Sequence, residues 1–377
     1  MVSDALYPWH KGGKEVRYLH LLSALPQHDI DVTVYSMKWW DETPDAIHSD
    51  FGSLTYMAIC PLVPMYREAR RSFVQALLFA VSTLRLLTQK FDVIEADHMP
   101  YLQLLPLRVV AWCKRVPLVI TWHEVWGREG WRTYVGRIGF VAAFVERLCI
   151  RLPNVIVAVS SGTAEKLIAT GANPDRVCVV PNAIDIEKLL TSTAQISAPE
   201  LLFVGRLLEH KHADLAVEAV RILSDRGLDV HLGVIGVGPE ETRLRAQVAN
   251  LELDSRVTFY STVDSQEELW SLIRGCRVLL APSVREGFGL VVAESLALGT
   301  PVVCAIHPEN ESSKLVSPTT GSSVPSLDAG TLADAAEYWL SDDSDRADRA
   351  LAFLTDHKEL TVDGLSSSYA EIFRKAI

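Results

Sequence analysis

Two glutamates stand eight residues apart in the segment Pro282-Ser283-Val284-Arg285-Glu286-Gly287-Phe288-Gly289-Leu290-Val291-Val292-Ala293-Glu294. The run from Leu290 to Leu298 is rich in Leu, Val, Ala and Glu and closes at Gly299, which predicts a helix. Gly287 and Gly289 allow the backbone to approach a bound group closely. The unpaired N–H groups of the first helical turn, around Gly289 and Leu290, would form an anion site suited to phosphate. A carboxylate on either side accepts hydrogen bonds from hydroxyls. The segment therefore reads as a cradle for a nucleotide sugar, with amides for the diphosphate and one carboxylate for each of the two sugars. A pair of solvated glutamates on an ordinary strand–loop–helix is the plainer alternative.

Other residues suit the same chemistry. Leu201-Leu202-Phe203-Val204-Gly205-Arg206 reads as a strand ending in Gly-Arg, with Lys211 five residues on. Two cations at a strand end, opposite a helix N-terminus, would neutralise a leaving diphosphate; two surface basic residues are the alternative. Gly236-Val237-Gly238-Pro239 forms a turn after the next strand but lacks a full dinucleotide fingerprint. In the first half, Gly12-Gly13 precedes a helix and is either a plain turn or a second point of close backbone approach. Thr121-Trp122-His123-Glu124 ends a strand, where His123 could donate to a sugar hydroxyl, handle a proton, or be structural. Asp97-His98 ends another strand.

The elements that must position these residues alternate short apolar runs with longer helical stretches, a parallel α/β pattern. Strands are expected at Val32–Tyr35, Val93–Glu95, Leu118–Thr121, Val155–Val159 and Val177–Val180. A second set is expected at Glu200–Val204, His231–Ile235, Val257–Tyr260, Val278–Ala281 and Pro301–Cys304. Leu190–Pro199 is the linker candidate. It separates an N-terminal domain, 1–189 joined by a C-terminal helix 360–377, from a C-terminal domain, 190–359. Met1-Val2-Ser3-Asp4 resembles the end of a first strand. Ligands of open α/β sheets bind at the C-terminal ends of the strands, where all these motifs fall.

The chain has 377 residues, 49% hydrophobic and 22% charged, and a net charge of −11. That length accommodates two domains. The acidic balance argues against nucleic acid as a partner. Six scattered cysteines without a C-x-x-C pair fit a reducing compartment better than a disulfide framework or a zinc site. No secretory signal or bilayer-length apolar run is visible. The expected location is the cytoplasm, with the inner face of the membrane as a variant. Met65–Arg85 and Gly127–Arg151 combine Arg and aromatic residues with apolar runs. They read equally as membrane-interfacial segments or as core helices with a solvated basic face.

In combination these motifs resemble the retaining glycosyltransferases of family 4, with the E-x7-E signature at Glu286 and Glu294. The resemblance implies the GT-B fold, two doubly wound Rossmann-like domains facing across a cleft. It implies transfer of a hexose from a nucleotide diphosphate sugar to a glycan or lipid-linked acceptor. No cofactor or metal is implied. Gly205-Arg206-Leu207-Leu208-Glu209-His210-Lys211-His212 resembles the family's G-R-L and E-K-G segments, but lacks the glycine after Lys211. On this basis Arg206 and Lys211 would hold the diphosphate with Gly12, Gly13, Gly287, Phe288, Gly289 and Leu290. Glu286 would hold the donor sugar, Glu294 the ribose, and His123 would lie against the donor sugar. The loop Ser261–Asp264 could line the base. Ser160-Ser161-Gly162-Thr163 and Val180-Pro181-Asn182-Ala183-Ile184-Asp185 match family segments of mainly structural character, Ala183 replacing the usual glycine. Pro308-Glu309-Asn310 matches a family loop and receives no catalytic role. Asp343-Ser344-Asp345 matches a metal-binding pattern of another fold and is read as solvated or capping. A nucleotide-sugar epimerase of the same fold and a non-catalytic sugar-binding protein are the rival readings.

Overall fold

The computed structural model describes residues 1–10, 12–40, 46–48, 54–67, 70–195, 197–260, 263, 265–342 and 344–377. The D-x-D residue Asp343 and most of the 261–264 loop lie outside them. In chain order the elements are α1 (Gly13–Ala24), β1 (Val32–Met37), β2 (Ala46–His48), β3 (Leu54–Cys60), β4 (Tyr66–Arg67), β5 (Arg70–Arg71), α2 (Phe73–Ser82), β6 (Ile94–Asp97), α3 (Leu104–Lys114), β7 (Leu118–Trp122), α4 (Gly127–Val135), α5 (Gly139–Cys149), β8 (Val155–Ala158), α6 (Ser161–Thr170) and β9 (Val177–Val179). There follow α7 (Ile186–Thr191), β10 (Leu201–Val204), α8 (Ala213–Asp225), β11 (Leu232–Ile235), α9 (Glu241–Asn250), β12 (Val257–Tyr260), α10 (Gln266–Gly275), β13 (Val278–Ala281), α11 (Leu290–Ala297), β14 (Val302–Ala305), β15 (Gly321–Val324), α12 (Ala329–Leu340), α13 (Arg346–Asp356) and α14 (Val362–Ala376).

Two compact units result. One comprises Met1–Ala183 with Val362–Ile377, the other Ile184–Thr361. The division falls after Ala183 rather than after residue 189, because α7 packs on α10 and so belongs to the second unit.

In the first unit, β6, β7, β8 and β9 pair in parallel in that order, and β1 pairs in parallel with β3. Val2 joins the two sets, bridging Tyr35 on one side and Ala96 on the other. The expected first strand is thus a single bridged residue. One face of this sheet packs on α1 and α14 through Leu21, Leu25, Tyr369 and Phe373. The other packs on α2, α3 and α5 through Phe79, Leu104, Leu107, Val110 and Cys149. Arg17, 1% exposed, ties α1 to the chain after β9. Its guanidinium donates to the Val180 and Pro181 carbonyls, to Asn182 Oδ1 and to the Tyr369 hydroxyl, at 2.7–3.1 Å. Of these partners only Asn182 and Tyr369 contribute side chains, and the Tyr369 bond ties α14 to this unit.

The second unit is one parallel sheet in the order β12-β11-β10-β13-β14-β15. Winding reverses between β10 and β13. In open α/β sheets the carboxyl ends of the strands flanking such a switch point are where ligands bind.

Candidate active site

The loops at that switch point carry the E-x7-E segment and the Gly-Arg segment. Arg206 follows β10 and is exposed. Lys211 ends the short 3-10 turn Glu209–Lys211. Its ammonium pairs directly with the Glu286 carboxylate from the loop after β13. The backbone locks the two loops together as well, Val284 N donating to the His210 carbonyl at 3.0 Å. His210 senses the local field. Burial first, then Lys211, Arg285 and Arg206, depress its pKa to about 4. The imidazole is therefore neutral beside three cations, two of which pair with Glu286 and Glu309.

Glu286 is held by a clasp that the sequence pattern did not assign. Asn310 is 1% exposed and saturated with hydrogen bonds. Its Nδ2 donates to the Ser283 and Ala305 carbonyls at 2.9 and 2.8 Å. Its Oδ1 accepts from Ser312 N and Ser312 Oγ at 3.1 and 2.6 Å. On either side, Glu286 N donates to the Glu309 carbonyl and Glu311 N to the Glu286 carbonyl, both at 2.9 Å. Arg285 Nε adds a 2.9 Å bond to Glu309. The Pro-Glu-Asn loop, given no catalytic role from sequence, therefore fixes the backbone of Glu286.

Gly289 caps α11 at φ +91, and a Cβ there would collide with Ser312. Its close approach is to the protein itself, setting the α11 amides against the Asn310 clasp. Phe288 is buried beside it. Gly236 and Gly238 act in the same manner. A Cβ on either would strike the Gly205 or Leu207 carbonyl, so the Gly-Val-Gly turn packs on the Gly-Arg segment. His212 occupies the left-handed region at φ +51, where the family pattern has glycine.

Glu294 lies in the second turn of α11 and is 2% exposed. Gln266 Nε2 donates to its Oε1 at 3.0 Å. Burial outweighs that bond and lifts the carboxyl to about 7. The sequence separates Glu286 from Glu294 by position alone. The structure separates them by environment, one at the mouth paired with a cation and one sunk in the helix.

The first unit gathers a different set. Lys14, just inside α1, places its ammonium 3.0 Å from Asp4 Oδ1 and 3.0 Å from Asp97 Oδ2. Arg71 pairs with the other oxygen of Asp4, and Gln75 Nε2 donates to it at 3.1 Å. Asp97 also takes His98 Nδ1 at 2.9 Å and Met99 N at 3.2 Å. Burial opposes the charge on Asp97, but Lys14 and the His98 hydrogen bond outweigh it and hold the carboxyl well below the usual range.

His123 directly follows β7, with its Nε2 3.9 Å from Asp97 Oδ1. That nitrogen is buried and without a hydrogen-bond partner. Burial pushes its pKa down to about 3, so the ring is neutral and is suited to hydrogen bonding rather than to carrying a positive charge. Gly12 caps α1 with extended backbone. Among the described residues, nothing lies within 4 Å of the position a Cβ would take at Gly13. The fold does not itself demand glycine there, which leaves the space for an incoming group. Asp4, Lys14 and Arg71 were not singled out from sequence. They come from three separated segments, and only the Asp97-His98 pair gave a sequence signal for this cluster.

Comparison with known proteins identifies the family and the fold. Residues 11–188 match the model for Glycosyltransferase Family 4 and residues 191–351 the model for Glycosyl transferases group 1. D-inositol 3-phosphate glycosyltransferase of Pseudarthrobacter chlorophenolicus is 27% identical over 90% of this chain and 85% of that protein. The 2-deoxystreptamine glucosyltransferase of Streptomyces kanamyceticus is 32% identical over 42% of this chain and 44% of its own length. Among solved structures, Anabaena HepE in complex with UDP-glucose superposes with a TM-score of 0.73 over 99% of this chain and 98% of that chain, at 16% identity. The lipopolysaccharide-biosynthesis glycosyltransferase WaaG gives 0.71 over 99% and 98%, also at 16% identity. With two parallel α/β units and family models covering both, the chain belongs to the GT-B glycosyltransferases, built from a family 4 N-terminal domain and a group 1 C-terminal domain.

Proposed function

We propose that this glycosyltransferase moves a hexose from a nucleotide diphosphate sugar to a hydroxyl acceptor with retained anomeric configuration. One observation carries the reading. Arg206 and Lys211 after β10, and Glu286 and the start of α11 after β13, follow adjacent strands at the switch point, with Lys211 and Glu286 in direct contact. As the sugar–phosphate bond breaks, negative charge grows on the diphosphate. Arg206, Lys211 and the amides offset it without reorganisation. Glu286, now paired with Lys211, exchanges that partner for donor sugar hydroxyls when the diphosphate takes over Lys211. Glu294 accepts from the ribose hydroxyls. In the first unit, neutral His123 beside the buried Asp97 carboxylate offers a hydrogen bond to a sugar hydroxyl. The reading calls on no metal ion.

The relatives' names point to polar polyols and lipid-borne glycans as acceptors: inositol 3-phosphate in one case, a phosphatidylinositol dimannoside in another. We take a phosphorylated or lipid-linked polyol as the acceptor class. Among the described residues no helix is long and apolar enough to cross a membrane, so a lipid acceptor would be met at a surface. Nothing observed favours an epimerase or a non-catalytic binder.

The test is turnover in EDTA with UDP- and GDP-hexoses against inositol phosphates and lipid-extracted glycans, the product anomer read by NMR. A glycoside with the donor's anomeric configuration supports the reading. An inverted product, or isomerisation of the donor sugar without transfer, contradicts it.

A further inference from the structure

The outer faces of α2, α3 and α5 are unusually apolar. On α2, Phe73, Leu77 and Val81 follow one another at helical spacing and are all exposed. On α5, Phe140 and Phe144 do the same, and α3 adds Trp112 at 74% exposure. These helices bury their inner sides against one face of the same sheet. Both α2 and α5 also pack against the 3-10 turn Tyr101–Gln103 that leads into α3. Their outer sides therefore form one layer. An aqueous surface of this kind marks an interaction site.

Charge selects the occupant. Residues 73–151 carry ten Lys and Arg against six Asp and Glu, a net +4 within a chain of −11. Of those acids, Glu95, Asp97 and Glu146 are buried, whereas Arg85, Arg132, Arg137 and Arg147 are exposed. Only Asp92 and Glu129 are exposed acids in that stretch. A second copy docked by two-fold symmetry would set cation against cation. Aromatic and aliphatic side chains flanked by arginines match an anionic lipid surface: the apolar groups enter the acyl boundary while guanidinium groups meet headgroup phosphates.

We propose that this layer of the first unit is a docking surface for an anionic lipid bilayer, which brings a lipid-linked acceptor to the enzyme. The acceptor part of this statement rests on the proposed function; the docking surface does not.

Flotation of the full-length protein with phosphatidylcholine vesicles, with and without phosphatidylglycerol, tests it. Binding should require the anionic lipid and weaken with salt. Arg137→Glu combined with Arg147→Glu should reduce it by about fivefold or more for each charge removed from the headgroup layer. Phe140→Ser with Phe144→Ser should also release the protein, and none of the four substitutions should alter nucleotide-sugar affinity in solution. Normal donor binding with no flotation on anionic vesicles would overturn the docking surface and leave the transferase reading standing. Self-association in sedimentation that the Phe140→Ser, Phe144→Ser pair abolishes would assign the face to a second copy instead. Loss of donor binding in the parent protein would count against the transferase reading, whatever the vesicles show.

Discussion

The two units carry charged clusters of opposite character. In the first, the fully buried carboxylates of Asp4 and Asp97 are neutralised by Lys14 and Arg71. In the second, Arg206 stands exposed, and Lys211 and Glu286 form a pair in which both partners, the carboxylate included, are partly accessible. A buried, mutually satisfied set is costly to disturb and holds its geometry. An accessible pair is weak and can exchange partners when a ligand arrives. The first unit therefore holds His123 beside a fixed charge cluster with buried carboxylates. The second holds charges ready to be taken over by a diphosphate.

Breaking the second cluster should cost most. Arg206→Ala should lower kcat/KM by ~100-fold or more, as expected when a donor to a developing oxyanion is lost; steady-state kinetics over a donor series checks it. His123→Ala should reduce kcat by roughly tenfold, the scale of one lost hydrogen bond to a hydroxyl, with little change in donor affinity. Equal losses in donor affinity and kcat would erase the distinction between the units.

Asn310→Ala sharpens the contrast in a different way. It leaves buried carbonyls and amides unpaired and should destabilise the protein by about 2–3 kcal/mol, seen as a lower melting midpoint. Because the clasp holds Glu286, kcat should also fall while KM changes little. Asn310→Ser, which keeps an acceptor for Ser312, should recover part of the activity.

Glu294 gives a pH test. Burial raises its folded-state value from the ordinary 4.5 to about 7, so folding takes up a proton between those values. Its ionisation costs nothing below 4.5, and the cost grows as pH rises and is complete above 7. Glu294→Gln should then be more stable than the parent at pH 8, by about 1–3 kcal/mol, with the gap closing toward pH 4.5. A constant gap across that range would argue against the buried carboxyl. The smallest effect belongs to His212→Gly. It relieves a left-handed residue but loosens the unfolded chain and loses the neighbouring Asp214, for a net change within ~1 kcal/mol.

Much of this was legible in the sequence because strand ends and glycines leave local marks. All ten strands expected from apolar runs are present, most within one or two residues of their expected limits. β15 was not foreseen: Gly-Ser-Ser-Val has no apolar run and survives as an edge strand beside β14. β3 does alternate, with Leu54 and Tyr56 buried, yet its pairing partner β1 lies some twenty residues away and no local turn announces it. Gly289 was read as ligand clearance, and Gly236 and Gly238 as a turn. All three serve backbone packing within the unit. Only a three-dimensional contact tells those two roles apart. The Asp4–Lys14–Asp97–Arg71 knot was illegible for the same reason, since each member alone is an ordinary charged residue.

The central claim is that the donor site is built in the second unit, at the β10/β13 switch point. Calorimetric titration of the parent, Arg206→Ala and His123→Ala proteins with UDP- and GDP-hexoses tests it most directly. The account predicts binding of one nucleotide class, weakened by about tenfold or more in Arg206→Ala, the scale of a lost charge-assisted hydrogen bond, and nearly unchanged in His123→Ala. Binding indifferent to Arg206, or lost with His123 alone, would contradict it.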